Sequence, residues 1–330
     1  MKKNYFGLIV FFFVVVLYSG CSDDSTSGSG SNIPTYAVTA TVLNPQGQKQ
    51  GGALLSLKNP PFQDPKFSAY TDSSGKATIQ APEGNQILLA KIGSAFASEI
   101  SVNVKPLASG TIADTLRLVQ NTAVKVLVVK ASAEQLENVL RVIGYSTFDS
   151  MQVSSLRDSV RIDSTRALEL LKKYTLIFSN CDAGSEDYYP VLSRVIGRYV
   201  QQGGKVYGGH YNYYNLRKVW IPNFTIYDTQ NKRPNDSISI IDIELQNFLG
   251  FSTAKWNSSD SRALSGYDKF SDLPTTSKIY GTIYGTSPAV GVIVENYLGS
   301  GKYLWTDYHN QDIKSDPKLV KIVQYFLLTL

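Results

Sequence analysis

From residue 123 onward, short continuous apolar runs alternate with stretches whose apolar residues recur at helical spacing. No other feature constrains the fold as much. Residues 124–129 read as a buried strand, and 175–179 and 205–207 as strands. Between them, residues 133–143 place Leu136, Val139, Leu140 and Ile143 on one helical face. Residues 187–202 do the same with Leu192, Val195, Ile196, Tyr199 and Val200, before Gly203 and Gly204 stop the helix. A helix over 164–173 opens with Ser164 as its N-cap, and 151–153 form a short strand. Further on, 241–249 and 317–328 read as helices, 279–284, 290–295 and 301–306 as strands, and 223–236 as a loop. Repeated strand–helix units predict an α/β doubly wound, mostly parallel sheet with right-handed crossovers, over residues 120–330.

The preceding stretch has a different texture. Residues 36–43 alternate polar and apolar, as a half-buried strand does, and Asn44-Pro45-Gln46-Gly47 is a turn. Strands are expected at 53–57, 77–80, 86–91, 100–104 and 115–119, with a turn at Asp72-Ser73-Ser74-Gly75 after Ala69 and Tyr70. About seven short strands with this punctuation predict an all-β sandwich over 36–119. The segments TDSSGKA (71–77) and APEGN (81–85) resemble the carboxypeptidase-regulatory-like, transthyretin-like sandwich. That resemblance covers roughly 36–105 and implies a spacer or interaction module without chemistry.

The chain of 330 residues is 43% hydrophobic and 18% charged, which excludes wholesale disorder. One long apolar run, residues 8–17, follows Lys2 and Lys3 and ends in Tyr18-Ser19-Gly20-Cys21. A charged start and a short apolar core make a signal peptide over 1–20. Small residues before a cysteine resemble the lipobox of bacterial lipoproteins. The resemblance implies that Cys21 carries a diacylglyceryl group and palmitate-type acyl chains as the new N-terminus. The family usually has Leu where Tyr18 stands. Residues 22–33 are almost free of apolar side chains, so 21–35 form a lipidated flexible tether with a reach of about 20 Å. Ser22-Asp23-Asp24 resemble a surface-export signal, and the expected location is the cell envelope, at the outer membrane. Cleavage removes two lysines and no acid, lowering the net charge from +5 to +3. No basic cluster of nucleic-acid type is present.

Ligands of open α/β sheets bind beyond the carboxyl ends of the strands. Three such ends carry polar or reactive groups: Asn180-Cys181-Asp182, Gly208-Gly209-His210-Tyr211 and Asp307-Tyr308-His309-Asn310. They hold both histidines of the chain. The segments YVQQGGKVYGGH (199–210) and GKYLWTDYHN (301–310) resemble the class I glutamine amidotransferase-like superfamily, nearest to its trehalose-utilisation-type and other non-amidotransferase members. The family's fold is flavodoxin-like. Its amidotransferases carry a nucleophilic cysteine on a Gly-x-Cys-x-Gly elbow after the strand that here ends at Tyr207. His210 stands at that place. His309 falls where the family has its catalytic histidine, but Asn310-Gln311 replaces the Pro-Glu that follows there. The resemblance therefore implies the fold without glutamine hydrolysis by that route.

The candidate catalytic residues are His210, His309, Cys181, Asp182 and Asp307. A thiolate at Cys181 would need a cationic neighbour such as an imidazole; otherwise Cys181 is a small buried residue closing a strand. Two histidines with Asp182 or Asp307 would make three metal ligands, and the alternative is a hydrogen-bonded histidine pair. No metal or cofactor is assigned. Tyr211, Tyr213, Tyr214 and Trp220, with Tyr207, Tyr188 and Tyr189, either stack on sugar rings or pack the segment after Tyr207 onto the sheet. No phosphate-loop or dinucleotide glycine pattern occurs. The expected function is that of a membrane-anchored, non-catalytic binding or scaffold protein. Its partners are the membrane, through the lipid, and a glycan or envelope protein. The alternative is a hydrolase of an envelope or carbohydrate substrate using His210 and His309 with a carboxylate or Cys181.

Overall fold

Strict alternation builds strand β1 (Thr35–Leu43): Val38, Ala40 and Val42 are buried, while Thr39 and Thr41 face outward. The computed structural model describes residues 33–107, 109–132, 134–181, 189–209, 212, 237–255, 277–283, 291–306 and 317–329. β1 pairs antiparallel with β4 (Lys76–Pro82) and parallel with the short β7 (Thr111–Ile112) and β8 (Leu116–Arg117). Across the first pair, the hydroxyls of Thr39 and Thr78 share a 2.8 Å hydrogen bond. A second sheet runs β3 (Ser68–Tyr70), β2 (Leu54–Leu57), β5 (Gly84–Ile92), β6 (Phe96–Val104) and β9 (Val119–Gln120), all antiparallel. The inner residues of both sheets belong to one apolar core.

The turns arise from local side chains. Asp72 Oδ1 accepts from the backbone N–H of Ser74 at 2.8 Å and of Lys76 at 3.0 Å. Those bonds hold its carboxyl below the usual range, the Lys76 N–H most of all. Gly75 follows at φ +76°, where an added Cβ would stand 2.7 Å from the Val42 carbonyl. The expected single strand over 115–119 is two pieces. Leu116 and Arg117 pair with β1, Leu118 is buried, and Val119 and Gln120 pair with β6. The segment changes sheet, so a continuous strand is impossible.

The large sheet has the order β11 (Asp149–Gln152), β10 (Val126–Lys130), β12 (Leu176–Ser179), β13 (Lys205–Gly209), β18 (Gly301–Thr306), β17 (Gly291–Leu298), β16 (Ser277–Ile283), β14 (Ser237–Ile240), β15 (Thr253–Lys255). Pairings from β11 to β18 are parallel; those from β18 to β15 are antiparallel. The expectation of a mostly parallel sheet is therefore corrected: among the described residues the sheet is mixed, with equal numbers of parallel and antiparallel pairings. The physical reason is loop length. β17 and β18 are joined by Gly299 and Ser300 alone, a hairpin connection, whereas a parallel neighbour needs a crossover.

Alternating residues of each strand face opposite layers. Leu127, Val129, Ile177, Val206 and Trp305 pack against helices α2 (Val153–Ile162), α3 (Ser164–Leu171) and α4 (Tyr189–Gln201). Val126, Val128, Phe178, Tyr207 and Leu304 belong to the other core, with α1 (Leu136–Val142), α5 (Ile243–Leu249), α6 (Pro317–Thr329) and the two smaller sheets. Asp163, rather than Ser164, caps α3, accepting from Thr165 N at 2.9 Å and Arg166 N at 3.0 Å. The core runs across residue 120. Phe96 and Tyr145 meet edge to face at 5.7 Å, and Tyr145 donates to the Val124 carbonyl at 2.6 Å. By its contacts, Thr35–Leu330 is one compact unit. Among the described residues no helix is long and apolar enough to cross a membrane.

Candidate functional site

Parallel pairing brings the carboxyl ends of β10, β12 and β13 side by side, because Val129 is in register with Ser179 and Ser179 with Gly208. Asn212 lies across these ends and is buried. Its Oδ1 accepts from Ser179 Oγ at 2.7 Å. Its Nδ2 donates to the carbonyls of Gly209 at 2.9 Å, Ser179 at 3.0 Å and Asn180 at 3.1 Å. Tyr303 of β18 donates to the Asn212 carbonyl at 3.2 Å. One amide thus ties together two strand ends whose outgoing carbonyls would otherwise lack partners.

Glu134 follows β10 and is fully buried. Its Oε2 accepts from the Cys181 backbone N–H at 2.7 Å. The carboxylate lies so close to the Gly209 backbone that a Cβ there would collide with it. At Gly208 an added Cβ would stand 2.5 Å from the Tyr303 hydroxyl and 2.8 Å from Asn212 Cβ. The glycine pair is therefore required by close approach of side chains from neighbouring elements.

Asn180 is 2% exposed and acts as a remote cap. Gln135, at the N-cap of α1, makes no capping side-chain bond; Asn180 Oδ1 accepts from Leu136 N at 3.2 Å instead. Its Nδ2 donates to the Glu134 carbonyl at 2.8 Å and to Glu137 Oε2 at 3.1 Å. On β18, buried Thr306 shares a 3.1 Å hydrogen bond with the Tyr207 hydroxyl.

Of the residues singled out in the sequence, Cys181 is at the end of β12 and fully buried. Its N–H is committed to Glu134, so that group is not free to stabilise an oxyanion. His210, His309, Asp182, Asp307, Tyr211, Tyr213, Tyr214, Trp220, Tyr188, the signal peptide and Cys21 lie outside the described residues. Among the described residues no three of His, Cys, Asp and Glu converge as metal ligands do. Sequence reasoning missed Glu134, Asn212 and Tyr303. Glu134 stands four residues beyond β10, so the carboxyl-end rule applied to that strand finds it. Asn212 follows the Gly-Gly-His-Tyr run directly.

No family model matches the chain, and no curated protein matches it in sequence. Partial likenesses to solved structures exist. A proposed GMP synthase subunit from Thermoplasma acidophilum is 11% identical, with a TM-score of 0.44, over 62% of this chain and 94% of that one. A glutamine amidotransferase from Thermotoga maritima is 14% identical, with a TM-score of 0.37, over 63% and 94%. A cytoplasmic protein from Salmonella typhimurium LT2 is 12% identical, with a TM-score of 0.39, over 88% and 95%.

Proposed function

We propose that this chain is a lipid-anchored envelope protein whose α/β part is a non-catalytic binding or scaffold module with a degenerate amidotransferase-like fold. On this reading Cys21 carries the lipid and 21–35 are the tether. Residues 36–119 form a carboxypeptidase-regulatory-like sandwich that serves as spacer, and 120–330 present the binding surface. The observation that carries it is that described side chains fill the ends of β12 and β13. Asn212 and Glu134 occupy the ends of β12 and β13, and Cys181 is buried with its N–H engaged. A nucleophile needs an open approach and a free oxyanion donor, and these groups supply neither. The sequence adds the missing elbow cysteine.

An activity screen of the full chain on glycan, ester and amide substrates, beside His210→Ala and His309→Ala, tests this reading. No turnover above background in any of the three is expected. Turnover lost on either substitution would overturn it. Mass spectrometry of the N-terminal peptide tests the anchor: the expected mass is that of Cys21 with its acyl chains, and an unmodified N-terminus elsewhere would refute it.

A hydrolase reading draws on one observation. Glu134 is a fully buried carboxylate against Gly209, the residue directly before His210 in the sequence. Buried carboxylates at strand ends are the kind of group that catalytic sites tune. Loss of measurable turnover in Glu134→Gln would favour it.

A further inference from the structure

We propose that the cleft between the five-stranded sheet and helices α5 and α6 binds an anionic oligosaccharide. One wall is a cross-strand row on the sheet face turned away from its inner core. Tyr70 pairs with Leu54, and Leu54 pairs with Lys91. Neighbouring strands lie about 4.8 Å apart, so a phenol ring, an aliphatic side chain and an ammonium stand in a line. Tyr70 is 72% exposed, and its ring packs against no other described ring. The facing wall carries Phe248 of α5 with Lys321 and Gln324 of α6, and Lys49 also borders the space. The cleft measures ≈ 860 Å³. Small-ligand sites span roughly 300–1,000 Å³.

Charge decides the ligand class. Lys49, Lys91 and Lys321 line one cleft, and none of them pairs with a carboxylate among the described residues. Two acids line it as well. Asp72 and Glu244 set two negative charges against three ammonium groups, so the lining carries one net positive charge. An anionic ligand supplies the missing counter-charge. The Tyr70 face suits the CH face of a pyranose. The amide of Gln324, which meets Gln50 at 3.0 Å, offers donors and acceptors for ring hydroxyls. An exposed ring beside amides and unpaired cations fits an acidic sugar chain better than an extended acidic peptide, which brings no ring to stack. The proposal stands on its own, whether or not the strand ends of the large sheet are silent.

Titration calorimetry of the full chain tests it, with trigalacturonate, neutral maltotriose and a hexaglutamate peptide as probes. Trigalacturonate is expected to bind one site per chain at least about tenfold more tightly than either control, and to weaken as salt rises. Lys91→Gln, Lys321→Gln and Tyr70→Ala, all at exposed positions, should each weaken it roughly fivefold or more with an unchanged melting midpoint. No trigalacturonate binding, affinity equal to maltotriose, or indifference to these substitutions would overturn the proposal. Hexaglutamate binding as tightly as trigalacturonate would overturn the saccharide assignment and leave a site for acidic peptides.

Discussion

Ser179 donates its hydroxyl to Asn212 Oδ1 at 2.7 Å, and Asn212 Nδ2 returns a bond to the Ser179 carbonyl at 3.0 Å. This reciprocal pair fastens the end of β12 to the segment after β13. Asn212→Ala removes it and leaves the Ser179 hydroxyl and three buried carbonyls short of partners. The expected cost is roughly 3 kcal/mol, read as a lower urea midpoint at unchanged slope. Asn212→Asp should lose at least as much, because a carboxylate cannot donate to those carbonyls.

Gly209 and Glu134 form a steric couple. Gly209→Ala drives a methyl group into the carboxylate, an overpacking that costs roughly 1–3 kcal/mol. Glu134→Ala opens that space but removes the acceptor that Glu134 gives the Cys181 N–H, for a similar loss. The double variant should be more stable than the sum of the two, by more than about 0.5 kcal/mol in a denaturation cycle.

Glu295 of β17 is fully buried on the antiparallel half of the sheet. Tyr280 donates to its Oε2 at 3.1 Å, while Lys302 Nζ stands 3.4 Å from Oε1, an ion-pair distance at which Oε1 makes no hydrogen bond. Burial above all, and the Glu295 charge after it, push the Tyr280 phenol far above its ordinary value. Lys302→Met strands the carboxylate and should cost roughly 2–3 kcal/mol, toward the low side because the lysine is partly exposed. Adding Glu295→Gln should return part of that loss.

Burial pushes the Tyr199 phenol up to about 12, against a backbone bond from Lys205 that lowers it. Its hydroxyl donates to the Tyr174 carbonyl at 3.0 Å. An unfolded tyrosine titrates near 10. Between about pH 10 and 12 the unfolded chain gives up a proton that the folded chain retains, so stability falls as pH rises. Below about pH 10 the contribution is complete. Tyr199→Phe should be less stable near neutrality by about 1 kcal/mol, yet its urea midpoint should fall less steeply above pH 10.

Legibility in the sequence followed the physics of each element. β10 reads as Val-Leu-Val-Val because both faces are covered, and β1 alternates because one is. The helix α2 escaped notice. Its buried residues, Leu156 and Val160, are one turn apart amid serines and arginines, too few for a periodic signal. β14 and β15 have only four and three residues, too few for a periodic signal, and β14 takes its second partner, β16, from distant sequence, which local reading does not see. The closed strand ends were partly legible. Cys181 and the glycine pair announced the place, but Glu134, Asn212 and Tyr303 come from three separate segments, so register alone brings them together.

Strand β18 lies in the middle of the large sheet, between β13 and β17, although it follows every other strand of that sheet in sequence. Synthesis therefore delivers the keystone late. Until residues 301–306 emerge, β13 has a bare inner edge and the hairpin partner of β17 does not exist. Each half waits with apolar surface uncovered, and a chain truncated before Gly301 is left with two unsealed borders prone to self-association.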